Sequence, residues 1–288
     1  MFKVLVTGAN GQLGSELKLI APKHANHFSF QFVHREDLDL LDRNLVEDYI
    51  FRNKCNGIIN AAAYTAVDLA EKEIEKANLG NIEIPKILSI VASKHNIRLV
   101  HFSTDFVFDG KNSVPYKEDD ITNPISVYGS SKELGERAVL GNNPNAVIVR
   151  TSWVYSKFGN NFVKTMRRLG KERPELKVIY DQIGSPTWAR DLAEVSLKIL
   201  NSDLKGIYNF SNEGVASWYD FAKTILMLSG LNTKIYPIET KDYPTPATRP
   251  HYSLLNKAKI KSALNLNIPH WTDSLKDCLS EMESETSN

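Results

Sequence analysis

Val4-Leu5-Val6-Thr7-Gly8-Ala9-Asn10-Gly11-Gln12-Leu13-Gly14 decides how the rest of this chain is read. An apolar run of strand length passes into three glycines at G-x-x-G-x-x-G spacing, and a helical stretch follows that ends near Pro22. Glycine permits the tight strand-to-helix turn and lets the backbone approach a pyrophosphate, whose charge suits the N–H groups at a helix N-terminus. A glycine trio elsewhere is worth little; between a strand and a helix it points to a dinucleotide. Gly8, Asn10, Gly11, Gln12, Leu13 and Gly14 are therefore the expected cofactor-binding residues of this turn.

Outward from that turn, short apolar runs alternate with helix-period segments. Residues 28–33 alternate apolar and polar like a strand, 45–51 read as a helix, and Gly57–Asn60 as the next strand. A helix over 82–94, a strand over 97–102, a helix over 128–140 and a strand over 146–150 continue the rhythm. Such alternation predicts an α/β fold with a doubly wound, Rossmann-like parallel sheet. After Arg150 the rhythm loosens, with helices expected at 160–168 and 187–200 and a strand at 176–180. The Pro-rich stretch 243–250 is neither helix nor central strand and reads as an ordered loop or pocket wall. The polar end, 284–288, is expected to fray. Residues 1–150 are thus expected to form a dinucleotide-binding domain carrying the 128–140 helix. Residues 151–288 are expected to form mainly a smaller lobe, with chain segments interleaved with the first domain.

Composition narrows the function. Lys and Arg number 35 against 34 acidic residues, a balance without the field needed to wrap nucleic acid or coat an anionic membrane. The apolar start is too short for a signal or a membrane span, so a cytoplasmic location is expected. Cys55 and Cys278 stand far apart, which suits neither a disulfide scaffold nor a Cys-based zinc site.

The chemical signal is Tyr128-Gly129-Ser130-Ser131-Lys132, a Y-x-x-x-K pair that projects from one helix face. A tyrosine titrates at about 10, and a neighbouring ammonium lowers that by favouring phenolate. The pair alone is common. It gains meaning from Ser103-Thr104-Asp105 at the end of the preceding strand, because strand carboxyl ends border the ligand crevice of such sheets. Thr104 is the first choice to hold a substrate oxygen beside Tyr128, and Ser103 the second. After the second strand, Arg35 suits the 2′-phosphate of NADPH, whereas acidic neighbours such as Asp39, beside Leu40, suit the ribose hydroxyl of NADH. Both cofactors stay open. Ala61, Ala62 and Ala63 close the third strand with side chains small enough for a cofactor to approach, or simply to pack.

These motifs together resemble the extended short-chain dehydrogenases/reductases and, within them, the dTDP-4-dehydrorhamnose reductases. The likeness runs through Asn60-Ala61-Ala62-Ala63-Tyr64-Thr65-Ala66-Val67-Asp68, Ser103-Thr104-Asp105-Phe106-Val107-Phe108, Arg150-Thr151-Ser152-Trp153-Val154-Tyr155, Gly159-Asn160-Asn161-Phe162, Asp181-Gln182-Ile183-Gly184-Ser185-Pro186-Thr187 and Tyr243-Pro244-Thr245-Pro246-Ala247. The resemblance implies reduction of the 4-keto group of dTDP-6-deoxy-L-lyxo-4-hexulose to dTDP-L-rhamnose with hydride from NADPH or NADH. It implies that Tyr128 supplies the proton, Lys132 lowers its pKa and holds the nicotinamide ribose, and Thr104 orients the carbonyl. Thr65, Asp105, Trp153, Asn160 and Asn161 would meet the nucleotide sugar, with Arg249 on its diphosphate. Some relatives hold Mg²⁺ between subunits with carboxylates. Here Glu16 and Glu281 fit such positions, but Arg190 stands where a third carboxylate would align, which argues against a metal-bridged dimer. Monomer and homodimer both remain open. Phe106 occupies the place of the glutamate that dehydrating relatives use, so a dehydratase is disfavoured. An epimerase, another keto-sugar reductase and a non-catalytic regulatory subunit of this fold are the alternatives.

Overall fold

The alternating runs assemble into a six-stranded parallel sheet, seen here in a computed structural model that describes residues 1–286. Its first five strands in sequence are β1 (Phe2–Thr7), β2 (Phe28–Phe32), β3 (Gly57–Asn60), β4 (Arg98–Thr104) and β5 (Val147–Thr151). The order across the sheet is Gly206–Asn209, β5, β4, β3, β1, β2, and every pairing is parallel. Leu5 stands beside Gln31 on one side and Ile58 on the other. The chain reverses direction across the sheet at β1 and β3, so the crevice outside their carboxyl ends is where a ligand belongs.

Successive strand residues point to opposite faces, and both faces are covered. Val4, Val6, Val100 and Val149 meet Leu13 and Leu17 of helix α1 (Gln12–Ile20) together with Leu192 and Ile199 of helix Ala189–Leu200. Leu5, Ile58, Leu99 and Ile148 meet Val46, Ile50, Leu88, Val91 and Val139 on the other face. A third core, around Tyr155, Val163, Trp188, Phe221, Ile225 and Trp271, fills the second half. It joins helices Phe162–Glu172, Trp218–Leu228 and Trp271–Thr286, beside the parallel pair Glu175–Ile179 and Lys234–Ile238.

Several boundaries differ from the sequence reading for physical reasons. The expected 187–200 helix begins at Ala189, because Thr187–Trp188 pairs with Val154–Tyr155. The expected 160–168 helix begins at Phe162, since Asn161 sits extended before it and accepts a hydrogen bond from the Lys164 N–H. The 82–94 helix begins at Ile84 after a wider π turn, Leu79–Glu83. The strand Gly206–Asn209 was not foreseen; it completes the sheet from the second half of the chain. The stretch from Ser284 that was expected to fray is helical as far as Thr286, as the last turn of helix Trp271–Thr286, and positions 287 and 288 lie outside the described residues. Among the described residues no helix is long and apolar enough to cross a membrane.

Candidate active site

The glycine turn is built by contact as much as by conformation. Gly8 has φ +65°, and a Cβ there would lie 2.6 Å from the backbone of Ala61 and Ala62. A Cβ on Gly14 would lie 2.4 Å from the Gly8 carbonyl oxygen, so glycine lets α1 rest directly on the turn. Gly11 caps α1 with extended backbone and no side-chain cap, leaving the first helical N–H groups to another acceptor. Asn10 and Gly11 are exposed, whereas Leu13 packs into the core. Below the turn, the Thr7 hydroxyl donates to Asn60 Oδ1 at 2.7 Å, and Asn60 Nδ2 lies 3.0 Å from Nδ1 of buried His101. Burial, then the nearby Lys132 charge, holds that imidazole well below its usual range.

At the end of β2, Asp37 accepts from the His34 N–H and Asp39 from the Leu41 N–H. Both acidic residues are thus tied into their own turn, and Leu40 leans on the core. Arg35 is exposed and makes no ion pair among the described residues. Ala61 and Ala62 are half-buried at the edge of the crevice, while Ala63 and Thr65 are exposed.

Thr104, Asp105, Tyr128 and Lys132 come together across β4 and helix Val127–Asn142. Ser126 caps that helix by accepting from the Gly129 N–H at 3.2 Å, which fixes the turn that carries Tyr128. A Cβ on Gly129 would meet the Phe106 carbonyl oxygen at 2.2 Å, so the glycine after Tyr128 lets the 104–106 segment touch the helix. The Phe106 ring stands edge-on to Tyr128, with centroids 5.5 Å apart. Lys132 reaches under the sheet, and its Nζ donates to the Phe102 carbonyl at 2.5 Å.

Burial dominates the charges here. It pushes the Tyr128 phenol up to about 12; the Thr104 hydroxyl hydrogen bond opposes this and the Asp105 charge adds to it. It pushes the Lys132 ammonium down to about 8 against the pull of Glu136. In this state the Lys132 amine donates to the Phe102 carbonyl, and burial is the largest influence on the Tyr128 phenol. Asp105 is 1% exposed and pushed up to about 6 by burial, opposed by the Ser253 and Thr104 hydroxyls, although no well-formed bond reaches its Oδ2. The second choice, Ser103, has a buried Oγ without a hydrogen-bond partner.

The remaining expected substrate residues divide. Trp153 sits in left-handed backbone at φ +48° and stacks on Trp218 with centroids 3.7 Å apart, half-buried at the rim of the third core. Asn161 is taken up locally: its Nδ2 donates to Gln12 Oε1 at 2.8 Å and to the Ser156 carbonyl at 2.7 Å while its Oδ1 caps the next helix. This braces the glycine turn against the second half. Asn160 is exposed beside it. Arg249 pairs end-on with Asp68, at 2.9 and 2.8 Å. Sequence reasoning gave no role to Asn81, whose fully buried amide holds both the N–H and the carbonyl of Tyr64 and donates to Ser131. A polar residue on an otherwise apolar helical stripe was the available signal.

The carboxylates weighed as metal ligands, Glu16 and Glu281, are already taken up by other partners. Arg190 Nε donates to Glu16 Oε2 at 2.5 Å, and its two Nη atoms donate to both oxygens of Glu281 at 3.0 and 2.9 Å. Ser156 takes the other Glu16 oxygen at 2.6 Å, and Lys157 adds a contact to Glu281 at 3.2 Å. A divalent cation would meet a fixed guanidinium and carboxylates already engaged.

Comparison with known proteins agrees with this geometry. The family described as RmlD substrate binding domain matches residues 2–284. The chain is 42% identical to a dTDP-4-dehydrorhamnose reductase of Aggregatibacter actinomycetemcomitans, over 96% of this chain and 98% of that one. It is 40% identical to the spore coat polysaccharide biosynthesis protein SpsK of Bacillus subtilis (strain 168), over 99% of both. A crystal structure of dTDP-4-dehydrorhamnose reductase from Bacillus anthracis str. Ames, in complex with NADP, superposes with TM-score 0.94 at 37% identity, covering 98% of this chain and 100% of that one. With the family model matched over residues 2–284, full-length relatives at about 40% identity and the same parallel-sheet fold, the chain belongs to the RmlD substrate binding domain family of the dTDP-4-dehydrorhamnose reductases.

Proposed function

We propose that this protein reduces the 4-keto group of dTDP-6-deoxy-L-lyxo-4-hexulose to the alcohol of dTDP-L-rhamnose, with NADPH or NADH as hydride donor. The observation that carries the reading is the convergence of Thr104, Tyr128 and Lys132 beside the cradle formed by Gly8 and Gly14. That cradle fits a dinucleotide: close backbone, an uncapped helix N-terminus and the exposed guanidinium of Arg35, which suits a 2′-phosphate. When bound, the dihydronicotinamide supplies the hydride to the carbonyl carbon.

The chain's own residues handle the oxygen. Thr104 orients the carbonyl through its hydroxyl. Tyr128 donates its proton to the oxygen as charge develops there, and a phenol at about 12 keeps that proton available throughout the neutral range. Lys132 would hold the nicotinamide ribose and add positive charge to that part of the site. Arg249 takes the diphosphate, and Trp153 walls the sugar pocket. Residues 1–150 serve the cofactor and 151–288 mainly the sugar nucleotide, an activity suited to the cytoplasm. The test is oxidation of NADPH and NADH with enzymatically generated keto sugar, with the product sugar identified. Turnover to dTDP-L-rhamnose that falls at least about a thousandfold in Tyr128→Phe is expected. Protein that binds dinucleotide but turns over neither cofactor would sink the assignment.

A further inference from the structure

We propose that Asp68 is a positioning residue that sets Arg249 for the diphosphate of the nucleotide sugar, a role that rests on the reading of Arg249 given above. Asp68 lies in the short helix Val67–Ala70, just past the loop that leaves β3, and 181 positions from Arg249. Its Oδ1 accepts from Arg249 Nη1 at 2.9 Å and its Oδ2 from Nη2 at 2.8 Å. The Ala247 N–H also donates to Oδ1, at 3.2 Å. Arg249 Nη1 further donates to Thr245 Oγ1 at 2.7 Å and to the Ala247 carbonyl at 3.2 Å. One carboxylate therefore fixes both the guanidinium and the Pro-rich loop around it.

A guanidinium carries five N–H groups in a plane. The bonds described use those of Nη1 and one of Nη2. The Nε–H and the second Nη2–H lie along the other edge, and neither has a partner among the described residues. That edge is a second fork, shaped for two phosphate oxygens. The Arg249 side chain is 23% exposed, so a ligand can reach it. Asp68 thus does not compete with a phosphate for the same hydrogens; it removes the freedom the arginine would otherwise lose on binding. The guanidinium also holds the Asp68 carboxyl below its usual range, which keeps the pair charged at neutral pH.

The same turn reaches the proton donor. Glu71, immediately after Val67–Ala70, accepts from the Val127 N–H at 2.9 Å, one residue before Tyr128. A single turn of chain therefore fixes the anion-binding arginine relative to the tyrosine.

The test uses Asp68→Ala, Arg249→Ala and the double variant, with the wild type. The quantities measured are kcat, KM for the keto sugar, and dissociation constants for dTDP and NADPH by calorimetry. Each single variant should raise KM and the dTDP constant by about tenfold, leaving kcat and NADPH affinity within about twofold. The double variant should be no worse than Arg249→Ala, because Asp68 acts through the arginine. Unchanged dTDP binding in Asp68→Ala, additive losses in the double variant, or an equal loss of NADPH affinity would each overturn the proposal. Unchanged dTDP binding in Arg249→Ala would remove the arginine from the site and the proposal with it. Absence of keto-sugar turnover in wild type that still binds dTDP through Asp68 and Arg249 would instead reject the reaction and leave the positioning role standing.

Discussion

Raising the pH through the Lys132 titration should abolish turnover well before Tyr128 loses its proton. Burial sets the amine at about 8 and the phenol at about 12; the free side chains titrate at about 10.4 and 10. One pH unit above the lysine value, about one molecule in ten keeps the ammonium; two units above, about one in a hundred. The quotient kcat/KM for NADPH follows ionisations of the free enzyme, so it should fall about tenfold per pH unit above about 8. NADPH affinity, titrated by tryptophan quenching, should weaken along the same curve. In Lys132→Met the affinity should be low and should lack this limb. The stability contribution of Lys132 runs the other way. Between about 8 and 10.4 an unfolded Lys132 binds more protons than the native one, so its contribution to stability rises with pH while activity falls. Tyr128 acts oppositely between about 10 and 12, where only the native chain keeps the proton. A flat kcat/KM to about pH 9.5, or the same limb in Lys132→Met, would refute the reasoning.

Two further outcomes follow from packing. Arg150 and Glu136 form a pair with side chains only 3% and 4% exposed. Arg150→Met strands a buried carboxylate and should cost about 3–5 kcal/mol in urea denaturation; Arg150→Met with Glu136→Leu should recover much of it, and equal losses would discredit the pair. Gly14→Ala places a Cβ 2.4 Å from the Gly8 carbonyl oxygen, forcing α1 off the turn. About 1–3 kcal/mol of stability should be lost, with at least about tenfold weaker NADPH binding, and unaltered affinity in a binding titration would show the contact to be tolerated.

What the sequence revealed was whatever is written locally. β1 to β5 were legible because each is an apolar run bounded by turns, and the glycine cradle because strand, glycines and helix are contiguous. Tyr128 and Lys132 were legible because one helix turn separates them. Gly206–Asn209 was not: four residues containing only Ile207 and Tyr208 as apolar members look like a loop until β5 lies beside them. The Asp68–Arg249 pair depends on the folded path between distant positions, and nothing near either residue marks it. The direction of the Tyr128 and Lys132 shifts was also hidden. It depends on how deeply each group is desolvated, and the sequence suggested only their charges.

The sixth strand has a consequence for how the molecule is made. A ribosome releases β1 to β5, the glycine turn and the Tyr128 helix long before Gly206–Asn209 and helix Ala189–Leu200 emerge. Until then β5 presents an unpaired edge, and Val4, Val6 and Val149 lack the cover that Leu192 and Ile199 supply. The nascent first half is therefore sticky rather than finished, a natural client for a holding chaperone, and it closes only when the later segment folds back onto it.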